Sequence, residues 1–152
     1  MGHKLPKAAI YRIEVATRKQ MRERQKDSAF MRKSLNIFNG QSTRCADSNI
    51  QLPYTIEEFR AWLKPFVGTL CSCGRRLTLK ALAVDHQVPV SRGGLWSLGN
   101  LAAMCRQCNW RKGKLLPSEY ASLVELLIGF SAESREDVFR RLTLGGKWSF
   151  KS

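Results

Sequence analysis

The chain is short of histidine and of acidic side chains. Only two His occur in 152 residues, His3 and His86, and 12 Asp and Glu stand against 26 Lys and Arg. His3 lies in the first few residues, so His86 is the candidate for any imidazole chemistry. Long apolar runs are missing as well. No stretch approaches the roughly 18–20 residues that span a bilayer as a helix, and no apolar leader core follows the N-terminus. A soluble, intracellular protein with no membrane partner is the expectation. The shortage of acid leaves a net charge of +14 and a pI near 10.1, and such a field draws polyanions over a Debye length of about 8–10 Å. Nucleic acid is the default partner, an anionic membrane surface the rival, and a plain basic protein the bland alternative.

The excess charge is uneven. Residues 1–50 carry +7, residues 51–100 +3 and residues 101–152 +4. Residues 8–35 contain no Gly or Pro, are rich in Arg, Lys, Gln, Glu and Met, and read as one long basic helix. It is either an arm that tracks phosphates or a solvated helix held by i,i+4 ion pairs. Residues 36–54 are rich in Asn, Ser and Gly and read as a linker, with Cys45 a bystander thiol. Thr55 and Glu58 have capping-box spacing ahead of Ile56, Phe59, Trp62 and Leu63, and Pro65 should end that helix. Residues 78–85 suggest a strand, 100–105 a strand or helix, and 106–114 a helix stopped near Gly113. Ser118 can cap an apolar helix expected to pack on the core, and residues 134–142 suggest one more helix before a basic tail. The layout is an arm (1–35), a linker (36–54), a core with packing helices (55–130) and a C-terminal helix and tail (131–152).

Five Cys in a reducing compartment point to metal or free thiols before disulfides. Cys71-Ser72-Cys73 and Cys105-Arg106-Gln107-Cys108 form two close pairs that can offer four thiolates to one structural Zn²⁺. Free buried thiols and a redox dithiol are the alternatives, and no thioredoxin-like βαβ pattern surrounds either pair. A four-thiolate site leaves no position for water, so zinc here is scaffolding and any chemistry lies elsewhere.

The ordered string "VDHQVPVSRGG", "GNL", "CRQCN", "WRKG" (residues 84–94, 99–101, 105–109 and 110–113) resembles the HNH, or ββα-metal, endonucleases. The likeness covers residues 71–114. Length and minimal layout resemble phage-encoded or mobile-element members. The resemblance implies an α+β fold: a ββα-metal hairpin and helix stapled by a zinc on Cys71, Cys73, Cys105 and Cys108, flanked by α-helices. It implies DNA phosphodiester hydrolysis, with His86 as general base, Asp85 and Asn109 holding one divalent metal, and Asn100 bracing the loop that carries the histidine. It also implies a second strand from Asn100 to Met104 and a helix starting near Cys108. The chemistry asks for the same residue types. An imidazole titrates near neutrality, and a carboxylate with an amide carbonyl suits hard Mg²⁺ or Mn²⁺. Arg92, Arg111 and Lys112 sit where they could hold phosphates, or they are merely solvated charges. Adjacent strand residues point to opposite faces, so Asp85 and His86 can serve one phosphate only if the strand end bends. A zinc-stabilised binding module without catalysis is the alternative, and monomer and homodimer are equally compatible with the sequence.

Overall fold

The computed structural model describes residues 6–143. His3 and the basic tail from residue 144 lie outside the described residues. Five helices and one two-stranded sheet follow in the order α1 (Lys7–Ala46), α2 (Ile56–Leu63), β1 (Leu82–His86), β2 (Leu101–Cys105), α3 (Arg106–Lys112), α4 (Pro117–Leu126) and α5 (Ala132–Thr143).

Helix α1 runs for 40 residues, which corrects the reading of residues 36–54 as linker. Asn36, Asn39, Gly40 and Ser42 are poor helix formers, but tertiary packing outweighs them. Ser34, Gln41 and Cys45 are buried on one side of the helix. Phe38 meets the rings of Tyr54 and Phe59 at 6.1 Å each. Gln41 Oε1 accepts the Tyr54 hydroxyl, and Arg60 Nε donates to Ser34 Oγ at 3.1 Å. Only residues 47–54 remain as a connection. Cys45 is a buried packing thiol, its pKa raised by burial.

Helix α2 starts as its sequence requires. Thr55 Oγ1 accepts from the Glu58 amide at 3.2 Å, and Glu58 Oε2 accepts from the Thr55 amide at 2.7 Å. Its apolar face supplies Phe59 and Leu63 to a core completed by Tyr54, Leu77, Leu82, Leu101 and three cysteines. Each such large side chain contributes about 1.5–3 kcal/mol on burial.

The strand expected at 78–85 begins only at Leu82. Thr78 makes a turn instead: its hydroxyl and carbonyl both accept from the Ala81 amide, at 3.2 and 3.0 Å. Strands β1 and β2 pair antiparallel with Leu82 opposite Cys105 and His86 opposite Leu101. The ambiguous 100–105 segment is thus strand. Helix α3 begins at Arg106, two residues before the start implied by the family resemblance, because Cys105 caps it: its Sγ accepts from the Cys108 amide at 3.4 Å. Gly113, at φ +50°, ends it.

Two expectations for α4 fail. Ser118 lies inside the first turn; the helix starts at Pro117, and the free Leu116 amide donates to Glu119 Oε2 at 2.8 Å. Nor is any residue of the helix fully buried: Leu126 is 74% exposed and Val124 exposed, Tyr120 and Leu123 are half-buried, and just beyond the helix only Leu127 is buried while Ile128 and Phe130 are exposed.

Candidate functional site

Two structures share the β1–β2–α3 unit. The first is a sulfur cluster. Residues 70–76 form a tight reversal: Leu70 bridges Arg76, and Gly74 at φ +81° donates to the Cys71 carbonyl at 2.8 Å. That reversal lets Cys71 and Cys73, one residue closer than the second pair, meet Cys105 and Cys108. All four sulfurs lie within 4.8 Å of one another, and the Cys73 and Cys105 sulfurs are 3.7 Å apart. A tetrahedral zinc with bonds of about 2.3 Å sets its sulfurs about 3.8 Å apart, so the thiols fit the ion. The Cys105 amide donates to Cys71 Sγ at 3.3 Å, as amides do to bound thiolates. Burial raises the Cys71 thiol, but backbone donors from Cys73 and Cys105 and the neighbouring thiols outweigh it and bring it down to about 6. Cys108 is raised by burial and by the other thiols.

The second structure lies at the far end of the hairpin. Asp85 and His86 close β1 and point to opposite sides of it. Asp85 faces α3, where Lys112 Nζ donates to its Oδ2 at 2.7 Å and to the His86 carbonyl at 2.9 Å. Lys112 is 3% exposed. It is therefore turned inward rather than outward to solvent phosphate. Asn109 precedes Lys112 by three residues and so shares its face of α3. A carboxylate and an amide on facing elements give the oxygen donors that a hard divalent ion takes.

His86 is buried, and its ring stands edge-on to Trp96 with centroids 4.8 Å apart. Its Nε2 is buried and without a hydrogen-bond partner. Burial lowers its pKa; Asp85 pulls it up, while Arg44 and Lys112 push it down. The net shift favours the neutral imidazole, the state a proton acceptor needs.

Asn100 ties the intervening loop together. Its Oδ1 accepts from the Val88 amide at 2.9 Å, and its Nδ2 donates to the carbonyls of Val88 and Leu95, each at 2.9 Å. Its own carbonyl accepts from the Gln87 amide at 2.6 Å. The loop can close this tightly because residue 94 is glycine: a Cβ there would be driven into the Val88 carbonyl. Gly93 beside it sits at φ +86°.

The remaining two basic candidates are paired to neighbouring helices. Arg92 makes a two-pronged ion pair with Glu119 of α4. Arg111 pairs with Glu136 and lies over the Phe139 ring, both on α5. So the fold gathers the four sulfurs, sets Asp85 against Lys112, and fixes the His86 loop through Asn100, but turns all three candidate phosphate cations toward protein partners. Trp96 and the Asp85–Lys112 pair escaped the sequence reading. The i,i+3 spacing of Asn109 and Lys112 is the signal that could have pointed to the latter.

Residues 71–115 match the family model described as HNH endonuclease. No curated protein matches the chain. The matched segment begins at Cys71, the first cysteine of the cluster, ends just after α3, and contains both structures above. The HNH match implies nuclease-type chemistry for this unit, built as an α+β hairpin and helix, and the four sulfurs suit a zinc ion. No described helix is long and apolar enough to cross a membrane.

Proposed function

We propose that the protein is a metal-dependent endonuclease that hydrolyses phosphodiester bonds of DNA. The observation that carries this reading is the coincidence of the HNH match with an Asp-His pair at a strand end, Asp85 facing α3 and His86 held under the Asn100 loop, on a hairpin that a sulfur cluster closes. Asp85 and Asn109 would hold one divalent cation, Mg²⁺ or Mn²⁺, which when bound offsets the charge gathering on the phosphate and its leaving oxygen. His86 takes the proton from the attacking water. Its Nε2 is buried, so Nδ1 would be the accepting atom. Asn100 holds the loop, and with it the imidazole, in place. Lys112 steadies the Asp85 carboxylate and the last carbonyl of β1. Cys71, Cys73, Cys105 and Cys108 would hold zinc as a closed structural site that keeps hairpin and helix together.

Supercoiled plasmid incubated with Mg²⁺, Mn²⁺ or EDTA tests the reading. Nicked or linear product with either metal, and none with EDTA, is expected. His86→Ala should slow cleavage by about 10²–10⁴-fold, the usual worth of a positioned general base, while duplex binding persists. Cleavage by this variant at the parental rate removes the base. A second reading, a zinc-stabilised DNA-binding module without catalysis, is favoured by one observation: the Asp85 carboxylate already carries an ammonium partner. Under that reading the plasmid stays supercoiled with every metal.

A further inference from the structure

Helix α1 is far longer than its packing requires. Its contacts with the core come from Phe30, Ser34, Ile37, Phe38, Gln41 and Cys45, whereas every side chain from residue 11 to 28 is exposed. An exposed helix of this length needs a reason, and its charges are sorted. At about 100° per residue, eight of the ten Lys and Arg in α1 fall within a sector of about 140°. Its three acids, Glu14, Glu23 and Asp27, fall outside that sector. Arg12, Lys19, Lys26 and Lys33 recur every seven residues along it. Random charge on a merely solvated helix has no cause to segregate in this way, and i,i+4 ion pairing would interleave the signs. Among the described residues of this exposed stretch, Lys26 alone has an ion pair, to Glu23.

The sector also points toward the HNH unit. Lys33 is half-buried and its ammonium is held low, first by burial and then by the like charge of Arg106 on α3. Neither Lys33 nor Arg106 makes an ion pair among the described residues, so both charges are open to a bound polyanion. Further along the same sector Arg44 is near enough to His86 for its charge to act on the imidazole.

We propose that this face of α1 is a docking track for duplex DNA, continuous with the HNH unit; the choice of duplex DNA rests on the nuclease reading above. From Arg12 to Lys33 the helix rises about 32 Å, close to one turn of duplex at about 34–36 Å. The track meets phosphates, which carry no sequence information, so it supplies grip and register rather than site choice.

The test is binding of a labelled duplex of about two turns to the full chain, in EDTA, across a salt series. Arg22→Gln and Arg24→Gln remove the same charge two residues apart, one inside the sector and one outside it. Arg22→Gln should lower the slope of log K against log salt by about 0.9, the value of one phosphate contact, and Arg24→Gln should leave it unchanged. The fourfold variant Arg12→Gln, Lys19→Gln, Arg22→Gln, Lys26→Gln should lower the slope by about 3.6 and weaken binding about tenfold or more at physiological salt. All four positions are exposed, so an unchanged circular dichroism melt is expected. Equal effects of Arg22→Gln and Arg24→Gln, or an unchanged slope in the fourfold variant, would overturn the track. So would a greater dependence on these residues for duplex RNA, or for phosphatidylserine vesicles, than for duplex DNA. The two readings separate cleanly. A parental protein that fails to nick plasmid yet shows the Arg22/Arg24 difference loses the nuclease and keeps the track, and the converse result loses the track alone.

Discussion

At the scale of the residue, Asn100 does the most with the fewest atoms. One side chain satisfies the Val88 amide and two carbonyls, and it does so across the turn that follows His86. Asn100→Ala would leave these three backbone groups without their partner, at about 0.5–1.5 kcal/mol for each bond lost and more where water cannot replace it. The expected result is a loss of about 2–3 kcal/mol in urea unfolding, with cleavage falling alongside it. Full activity with unchanged stability would mean that the loop holds its shape unaided. His86 belongs to the same scale. The residue was legible because it is the sole histidine among the described residues and sits in an ordered motif. Its covering by Trp96 was not legible, because nothing in the spacing of residues 86 and 96 says that their rings meet.

At the scale of the element, α1 teaches the clearest lesson. Asn36, Asn39, Gly40 and Ser42 look like the end of a helix when read locally, and the helix continues through them because Phe38 and Gln41 are captured by Tyr54 and Phe59. Gly40 is the weak point that packing overrides. It lies inside the helix and is exposed, and nothing stands within 4 Å of a Cβ placed there. Gly40→Ala should therefore stabilise the protein by about 0.5–1 kcal/mol, raising the melting temperature by about 2–4 °C. A lower melting temperature would show that the glycine has a conformational role. Helix α2, by contrast, was readable from its sequence, since Thr55 and Glu58 act within one turn and the Phe59/Leu63 stripe within the next.

At the scale of the whole molecule, the sulfur cluster links parts that the chain keeps far apart: 32 residues separate Cys73 from Cys105, yet their sulfurs are 3.7 Å apart. The two-stranded sheet is too small to be stable alone, so a metal held by the four sulfurs would carry much of its folding energy. Elemental analysis should find one zinc per chain. Cys108→Ser should lower the zinc content and depress the melting temperature by about 10 °C or more, as loss of several kcal/mol does in a chain of this size. A parental protein free of zinc would remove the staple. The overall charge of +14 also belongs to this scale, since it predisposes the molecule to polyanions without choosing among them.

The sequence by itself determined the pieces whose causes are local or ordered along the chain. These are the capped helix α2, the glycine stop after α3, the two cysteine pairs, and the Asp-His and Asn positions that resemble one family. Turn chemistry, capping and motif spacing act over a few residues, so they can be read without a fold. Only the tertiary structure decided where α1 ends, that α4 leaves Val124 and Leu126 exposed, and that Lys112 turns inward to Asp85 while Arg92 and Arg111 bind acids on other helices. Those outcomes depend on which distant surfaces meet, and partner choice between charges 25 to 27 residues apart leaves no periodic trace in a linear sequence.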